Sequence, residues 1–429
     1  NTTAEIPKAI NAGGQYNITL SDSVDISSAA ITNYSDLTLA DGKNVTMSLA
    51  QHDGFGTLTA TGANILTLSD AGTVAAKSNI ETYVLANGGG TTITIGANGQ
   101  NVTTGNGADI IDVGVRTATG TFTTSATSAI KLNDGANITS VNAEGNGAGT
   151  AFTANNLTFV SGASATMTAA QNNSFTNTIT AAGTNTITIS AAASVTGLAN
   201  VETYVLAAGA QTFTLGGAGQ SVTADGTGGS GLITIDTDTQ TSVTGTFDDN
   251  GGNDTIKLNV EVDSVNISTA NTTDVDTIDL ATDAGATMTR AQHLLLNAAA
   301  GTNTITLSDA GTLTGDANVE TYVLAAGTQT FTLGAAAQNV TANSTGANGT
   351  IVFDTNTLTT VSGTFTNAGN DTIKLNVERD GANISTATTA DVDTIDLASN
   401  VGATMTIAQN ALIDSAAGTN TVTLSNAGT

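Results

Sequence analysis

The chain has 429 residues, 39% of them apolar, and sets 9 Lys and Arg against 36 Asp and Glu for a formal charge of −27 at neutral pH. That field repels phosphate backbones and anionic lipid, which argues against nucleic acid as a partner, and no run of about 18 apolar residues offers a membrane-spanning helix. With no Cys, no Trp, 10 Phe and 5 Tyr, disulfides and thiolate sites are excluded, and small and β-branched residues must fill the core.

So large an acidic excess strains a compact chain unless cations neutralise part of it. Hard oxygen ligands without thiols or paired imidazoles favour Ca²⁺ over zinc or copper. The abundance of Thr, Ala, Gly, Asn and Asp suits a protein secreted to a bacterial cell surface. The opening NTTAEIPKAI has neither Met nor a signal-peptide core and reads as a mature product or an internal piece.

Self-similarity with a period of about 120 residues organises everything that follows. A partial repeat over 1–73 is followed by units at 74–194, 195–312 and 313–429. The anchors recur in each: Met-Ser/Thr-x-Ala-Gln at 47–51, 167–171, 288–292 and 405–409, and Lys-Leu-Asn at 131–133, 257–259 and 374–376. GTNTVTLSNAGT at 418–429 repeats the internal seam GTNTITLSDAGT at 301–312. An ordinary seam in place of an atypical polar cap implies either a longer parent protein or subunits stacked end to end.

Within a unit the pattern is short strands divided by Gly, Asn, Asp and Ala turns. In the last unit and the seam before it these are 304–308, 319–325, 330–334, 350–354, 361–366, 371–375 and 393–397. The connections are too short for crossover helices, which excludes a doubly wound α/β fold. NVETYVLA at 318–325, met also at 200–207 and as NIETYVLA at 79–86, puts Val319, Thr321 and Val323 on one face and Glu320, Tyr322 and Leu324 on the other. Bulk on both faces predicts a strand covered on both sides, repeated because it is a packing joint.

Ser48, Thr168, Thr289 and Thr406 each stand three residues before a Gln, the capping-box spacing. Helices are expected at 289–299 and 406–416, and in the first two copies, where Gly54, Gly56 and the Asn172-Asn173-Ser174 run interrupt them. The fold class is therefore all-β, a repetitive parallel β-solenoid with one short helix per unit. The alternative is a row of tandem β-sandwiches.

Carboxylates gather where turns lead into strands: Asp109, Asp254, Asp276, Asp371 and Asp393 each precede an x-Ile pair. GNGADII at 105–111 matches the core of a calcium-binding nonapeptide, and GNDTI at 252–256 and 369–373 keeps its second half. These five aspartates are the candidate Ca²⁺ ligands; the competing reading is that they form local Asx-turns. DVDTID at 274–279 and 391–396 reads as a solvated turn edge, with calcium ligation as the alternative; acid–base catalysis would need carboxylates in opposed environments beside a cleft. His52 and His293 have no Cys or acidic cluster for zinc and read as surface residues of the helices. The Ser and Thr residues lack a nucleophile elbow or a base. Asn-x-Ser/Thr sequons at Asn101, Asn137, Asn266 and Asn383 are what so much Asn and Thr produces by chance.

NTITLSDAGTLTGDANVETYVLA at 303–325, with NDTIKLN and DTIDLA following, resembles the repeat regions of bacterial surface-layer proteins and large RTX-type secreted adhesins, from about residue 35 onward. The resemblance implies extended, often calcium-stabilised β-structure at the cell surface, assembled into sheets or carrying a binding tip. The expected function is a non-enzymatic structural subunit of a self-assembling layer, filament or sheath, a homo-oligomer or polymer with cell-surface polysaccharide as a candidate ligand. The alternatives are an adhesin stalk and, below it, a β-helical polysaccharide-processing enzyme.

Overall fold

The computed structural model describes residues 9–145, 156–177, 179–226, 230–342 and 349–426. It falls into two compact units, residues 1–211 with 220–229 and residues 212–219 with 230–429. The final residues of the closing seam, 427–429, lie outside the described residues.

In the first unit Val45, Leu66, Tyr83, Val102 and Phe122 stand one above another through parallel pairings. None is more than 1% exposed. Val74, Ile93, Ile111, Ile130 and Leu157 form the facing column, again parallel and in register. The two columns belong to two sheets that take alternate strands in chain order. Parallel neighbours cannot be joined by a hairpin, and here the chain crosses to the opposite sheet and returns one coil higher. That is a parallel β-solenoid; antiparallel sandwich pairing does not occur among the described strands of the unit.

The second unit is built the same way. Ala286, Ile305, Tyr322, Val340 and Phe365 make one buried column. Leu313, Phe331, Phe353, Leu375 and Ile395 make the other. Ladder neighbours of this kind contribute roughly 0.2–1 kcal/mol each, and the column gains by repetition.

The strand of NVETYVLA is not covered on both sides. Tyr322 and Leu324 point inward and are fully buried, while Thr321 and Val323 face outward half-exposed. Val319 is buried because it lies before the strand, where the backbone has not yet taken up the alternation. The phrase is a packing joint with one inner face. Glu320 adds to the joint by accepting the Asn303 amide at 2.9 Å, as Glu81 and Glu202 do for Asn64 at 3.1 Å and Asn185 at 2.8 Å.

Four short helices, α1 (Leu49–Gly54), α2 (Ala169–Ser174), α3 (Arg290–His293) and α4 (Ile407–Asn410), sit at the anchors, each with both halves of its capping box formed. The first amides of α1, α3 and α4 donate to Asp70, Asp309 and Asn426, at 2.7, 2.7 and 2.9 Å, which explains the acid or amide of the SDAGT and SNAGT seams. Helices expected over 289–299 and 406–416 end at His293 and Asn410. Leu296–Ala299 and Ile413–Ala416 become strands that pair on Ile278–Leu280 and Ile395–Leu397. The next open sheet edge outweighs helix propensity in these alanine-rich runs. The strand expected at 361–366 is confined to Phe365–Asn367, with Val361 held by one amide bond to Asn383.

The corners carry a second recurring device. Gln51 donates through Nε2 to the carbonyls of Ile26 and Ala29, Gln171 to Ile138 and Val141, Gln292 to Ile267 and Ala270, and Gln409 to Ile384 and Ala387. Gln100 and Gln338 make the same bracket where there is no helix. Each amide bonds two carbonyls of the coil below; the first of each pair, such as Ile26 or Lys77, also accepts the backbone amide three residues on, and the second relies on the Gln, whose loss would cost about 1–3 kcal/mol.

Candidate functional site

The five aspartates expected to bind calcium are placed as amide acceptors between coils. Asp109, fully buried, accepts the Thr91 amide through Oδ1 at 2.7 Å and the Gly105 amide through Oδ2 at 2.8 Å. Asp254 and Asp371, also buried, accept from Gly231 and Gly349 at 2.7 Å. Asp276 and Asp393 are exposed and accept from Ile256 and Ile373 at 2.8 Å. The carboxylates therefore bridge distant parts of the chain, whereas an Asx-turn binds two residues on.

The glycines of GNGADII have a similar cause. A methyl at Gly105 or Gly107 would run into the carbonyl of Ala86 or of Gly89 in the coil beneath. Stacking distance requires them, with or without an ion.

Calcium takes 6–8 oxygen ligands. Among the described residues the one group of three acids close enough to share an ion is Asp248, Asp249 and Asp274, whose nearest oxygens lie within 4.8 Å of one another. None of the five candidates belongs to it. Asp274 has its pKa pushed up, first by loss of hydration and then by the charges of Asp248, Asp249 and Asp276. Of the DVDTID runs, Asp274, Asp276, Asp391 and Asp393 are exposed, as a turn edge should be, while Asp279 and Asp396 turn back to pair with Lys257 and Lys374.

Those ion pairs border two equivalent grooves in the second unit. One, of about 210 Å³, is lined by Lys374, Asn376, Glu378 and Asp396. The other, of about 190 Å³, is lined by Asn259, Glu261 and Asp279. Burial raises the pKa of Glu261, helped by Asp236 and Asp238, and burial raises that of Glu378, helped by Asp354. Their recurrence follows from the outward ranks of the sheet, where Asn259 bonds Asp236 at 2.8 Å and Asn376 bonds Asp354 at 2.7 Å.

The histidines are not surface residues. His52 is 0% and His293 5% exposed, because each helix sets the residue after its Gln onto the buried tyrosine of the following ETY strand. His52 Nε2 lies 3.2 Å from Tyr83 Oη and His293 Nε2 2.8 Å from Tyr322 Oη. Each tyrosine oxygen already accepts a backbone amide, Lys77 at 2.8 Å and Asp316 at 2.7 Å. The phenol proton therefore goes to the imidazole, whose Nε2 must be unprotonated. In the intervening copy Asn172 takes the histidine's place, its Oδ1 accepting from Tyr204 at 3.3 Å.

Burial lowers both histidine pKa values, against the raising effect of Asp53 on His52 and of Asp316 on His293; Lys77 lowers His52 further. Burial raises those of the three tyrosines. The sequence signal for this joint was the pairing of each Gln-His with a Tyr one coil and a half later, which only the coil geometry makes visible.

Comparison of the chain with protein-family models, with curated proteins and with solved structures returned no match. The arrangement itself is thus the ground for a functional reading. The Gln brackets, the Glu–Asn bonds, the buried Asp acceptors and the Tyr–His or Tyr–Asn pairs fasten one coil to another at equivalent positions in successive repeats, while buried Gln211 and Gln329 bond within their own turns.

Proposed function

We propose that this chain is a non-enzymatic structural protein of a bacterial cell surface, a subunit of a self-assembling layer, filament or sheath. The observation that carries the reading is the commitment of buried side-chain chemistry to coil-to-coil bonds. A Tyr–His pair or a buried Asp that would attract attention in an enzyme is here one rung of a repeated joint. The solenoid units, the uniform ladders and the heavy acidic charge support a scaffold. Divalent cations, Ca²⁺ first, belong to the proposal as neutralisers of that charge during association.

Sedimentation velocity over a concentration series, with and without millimolar calcium, tests it. Growth of large species with concentration, enhanced by calcium, is the expected result. A single monomeric boundary under every condition would count against assembly and leave the adhesin-stalk reading, in which the repeats only hold another domain at a distance.

A further inference from the structure

The two equivalent grooves of the second unit differ in one donor. In the copy beside Lys257, both oxygens of Asp279 are served: Oδ2 takes the Lys257 ammonium at 3.0 Å and Oδ1 the Asn297 side-chain amide at 3.0 Å. Ile413–Ala416 repeats Leu296–Ala299 and pairs on its neighbour with the same register shift, yet Asp414 stands where the earlier copy has Asn297. Asp396 therefore keeps Lys374 on Oδ2, while its buried Oδ1 has no donor among the described residues. Asn376, its ladder neighbour, is in the same condition, since Nδ2 donates to Asp354 at 2.7 Å and the buried Oδ1 has no donor. Both side chains line the groove of about 210 Å³ together with Lys374, Glu378 and Ser415. The coil itself does not impose this: in the first unit Lys131 and Asn133 each donate to a different oxygen of Asp112.

Two acceptors left without donors cost free energy until a ligand brings the protons. The χ2 torsions of Asp and Asn are soft, so both oxygens can turn to a group that enters the groove. That group must also suit the ammonium beside them. Lys374 carries three protons, and Asp396 is its one partner among the described residues, so the groove offers donors and acceptors side by side. An anionic ligand meets Glu378 and Asp396 in the groove and Asp354 and Asp414 at its border. Calcium, which takes about 6–8 oxygens, meets the Lys374 ammonium. A hydroxyl donates and accepts at once, and a ring with adjacent hydroxyls answers both kinds of group. The volume lies below the roughly 300–1,000 Å³ of sites for drug-sized molecules and suits a single ring of a chain that continues outside.

We propose that the groove between Lys374 and Ser415 binds an uncharged, hydroxyl-rich sugar unit of a polysaccharide, with Asp396, Asn376 and Glu378 accepting its hydroxyl protons and Lys374 donating to its oxygens. The equivalent groove beside Lys257 is the weaker site, because Asn297 already serves Asp279 there. The inference goes beyond the structural reading and does not depend on self-assembly. No aromatic side chain lines the groove, so a single unit is held weakly, and a polymer that presents the same unit many times is the ligand to use.

Native gels cast with dextran, mannan or galactan, each read against a gel without polysaccharide, measure the binding of the whole chain as lost mobility. Wild type should be retarded in at least one of them, and less by polygalacturonate. Asp414→Asn restores the Asn297 arrangement and should weaken the retardation by about three- to tenfold in apparent dissociation constant, the worth of one hydrogen bond, with the melting temperature level or higher. Asn297→Asp frees Asp279 Oδ1 and should strengthen it, and Lys374→Met should weaken it. No retardation in any neutral gel, retardation that neither exchange at 297 or 414 alters, or equal retardation by polygalacturonate overturns the proposal. Calcium chloride and spermidine are titrated in parallel: a rise in melting temperature with either, removed by Asp414→Asn and unaccompanied by sugar binding, would assign the groove to cations and overturn it as well. None of these results bears on assembly, which sedimentation decides.

Discussion

Acidification should loosen the two histidine joints and leave the asparagine joint alone. Burial holds the imidazoles of His52 and His293 below their ordinary pKa, so near neutrality they are uncharged in both folded and unfolded chain and cost nothing. Below about pH 6.5 the unfolded chain binds protons that the folded chain refuses. Stability then falls with falling pH, by about 1.4 kcal/mol per pH unit for each histidine, until the folded pKa is reached. A proton on Nε2 also removes the acceptor for the Tyr83 or Tyr322 hydroxyl, which already accepts a backbone amide.

The second copy supplies the substitution to try, since Asn172 meets Tyr204 there without a titrating group. His52→Asn and His293→Asn, each followed in the unfolding transition of its own unit by urea denaturation between pH 5 and 7.5, should match wild type within about 1 kcal/mol at pH 7.5. Each should flatten the acid slope by up to about 1.4 kcal/mol per pH unit. An unchanged slope would refute the assignment of the acid response to these joints.

The corner brackets and the carboxylates can be checked in the same way. Gln100→Ala removes the side-chain donor from the carbonyls of Lys77 and Ile80, of which Lys77 keeps the Ile80 amide at 3.2 Å, and should cost about 1–3 kcal/mol, whereas the outward Thr103→Ala should change stability by less than about 0.5 kcal/mol. Asp109→Asn sets an amide donor against the Thr91 or Gly105 amide and should cost about 2–3 kcal/mol in EGTA and in calcium alike. A loss seen only with calcium would make Asp109 an ion ligand instead. Asp274→Asn relieves the repulsion that raises this group's pKa, so the melting temperature at low salt without divalent ions should rise or stay level. A lower melting temperature in calcium for the variant alone would show that an ion bridges Asp248, Asp249 and Asp274.

The coil architecture was legible because its cause is local and repeated. Inward Ile, Val, Leu and Tyr at every second position, with Gly and Asn at the turns, leave few alternatives once the long period is seen. The seams and capping boxes were legible for the same reason, since Thr289 and Gln292 meet within one helical turn. What escaped the sequence depends on which coil lies above which. His293 looked exposed because its partner Tyr322 is 29 residues away, and the amides that Asp109 accepts, Thr91 and Gly105, could not be read from the sequence because the coil geometry brings them to it. The run RAQHLLLNAAA has helical propensity throughout, yet only its first turn is helical, because Ile278 offers its amide to Leu295 and draws the chain into the sheet.

Electron micrographs and diffraction from concentrated protein in calcium test the central claim most directly. The account predicts ordered sheets or filaments that give a reflection near 4.8 Å along the coil stack and one near 10 Å between stacked faces. Dispersed particles of monomer size, with neither reflection at any concentration, would contradict it.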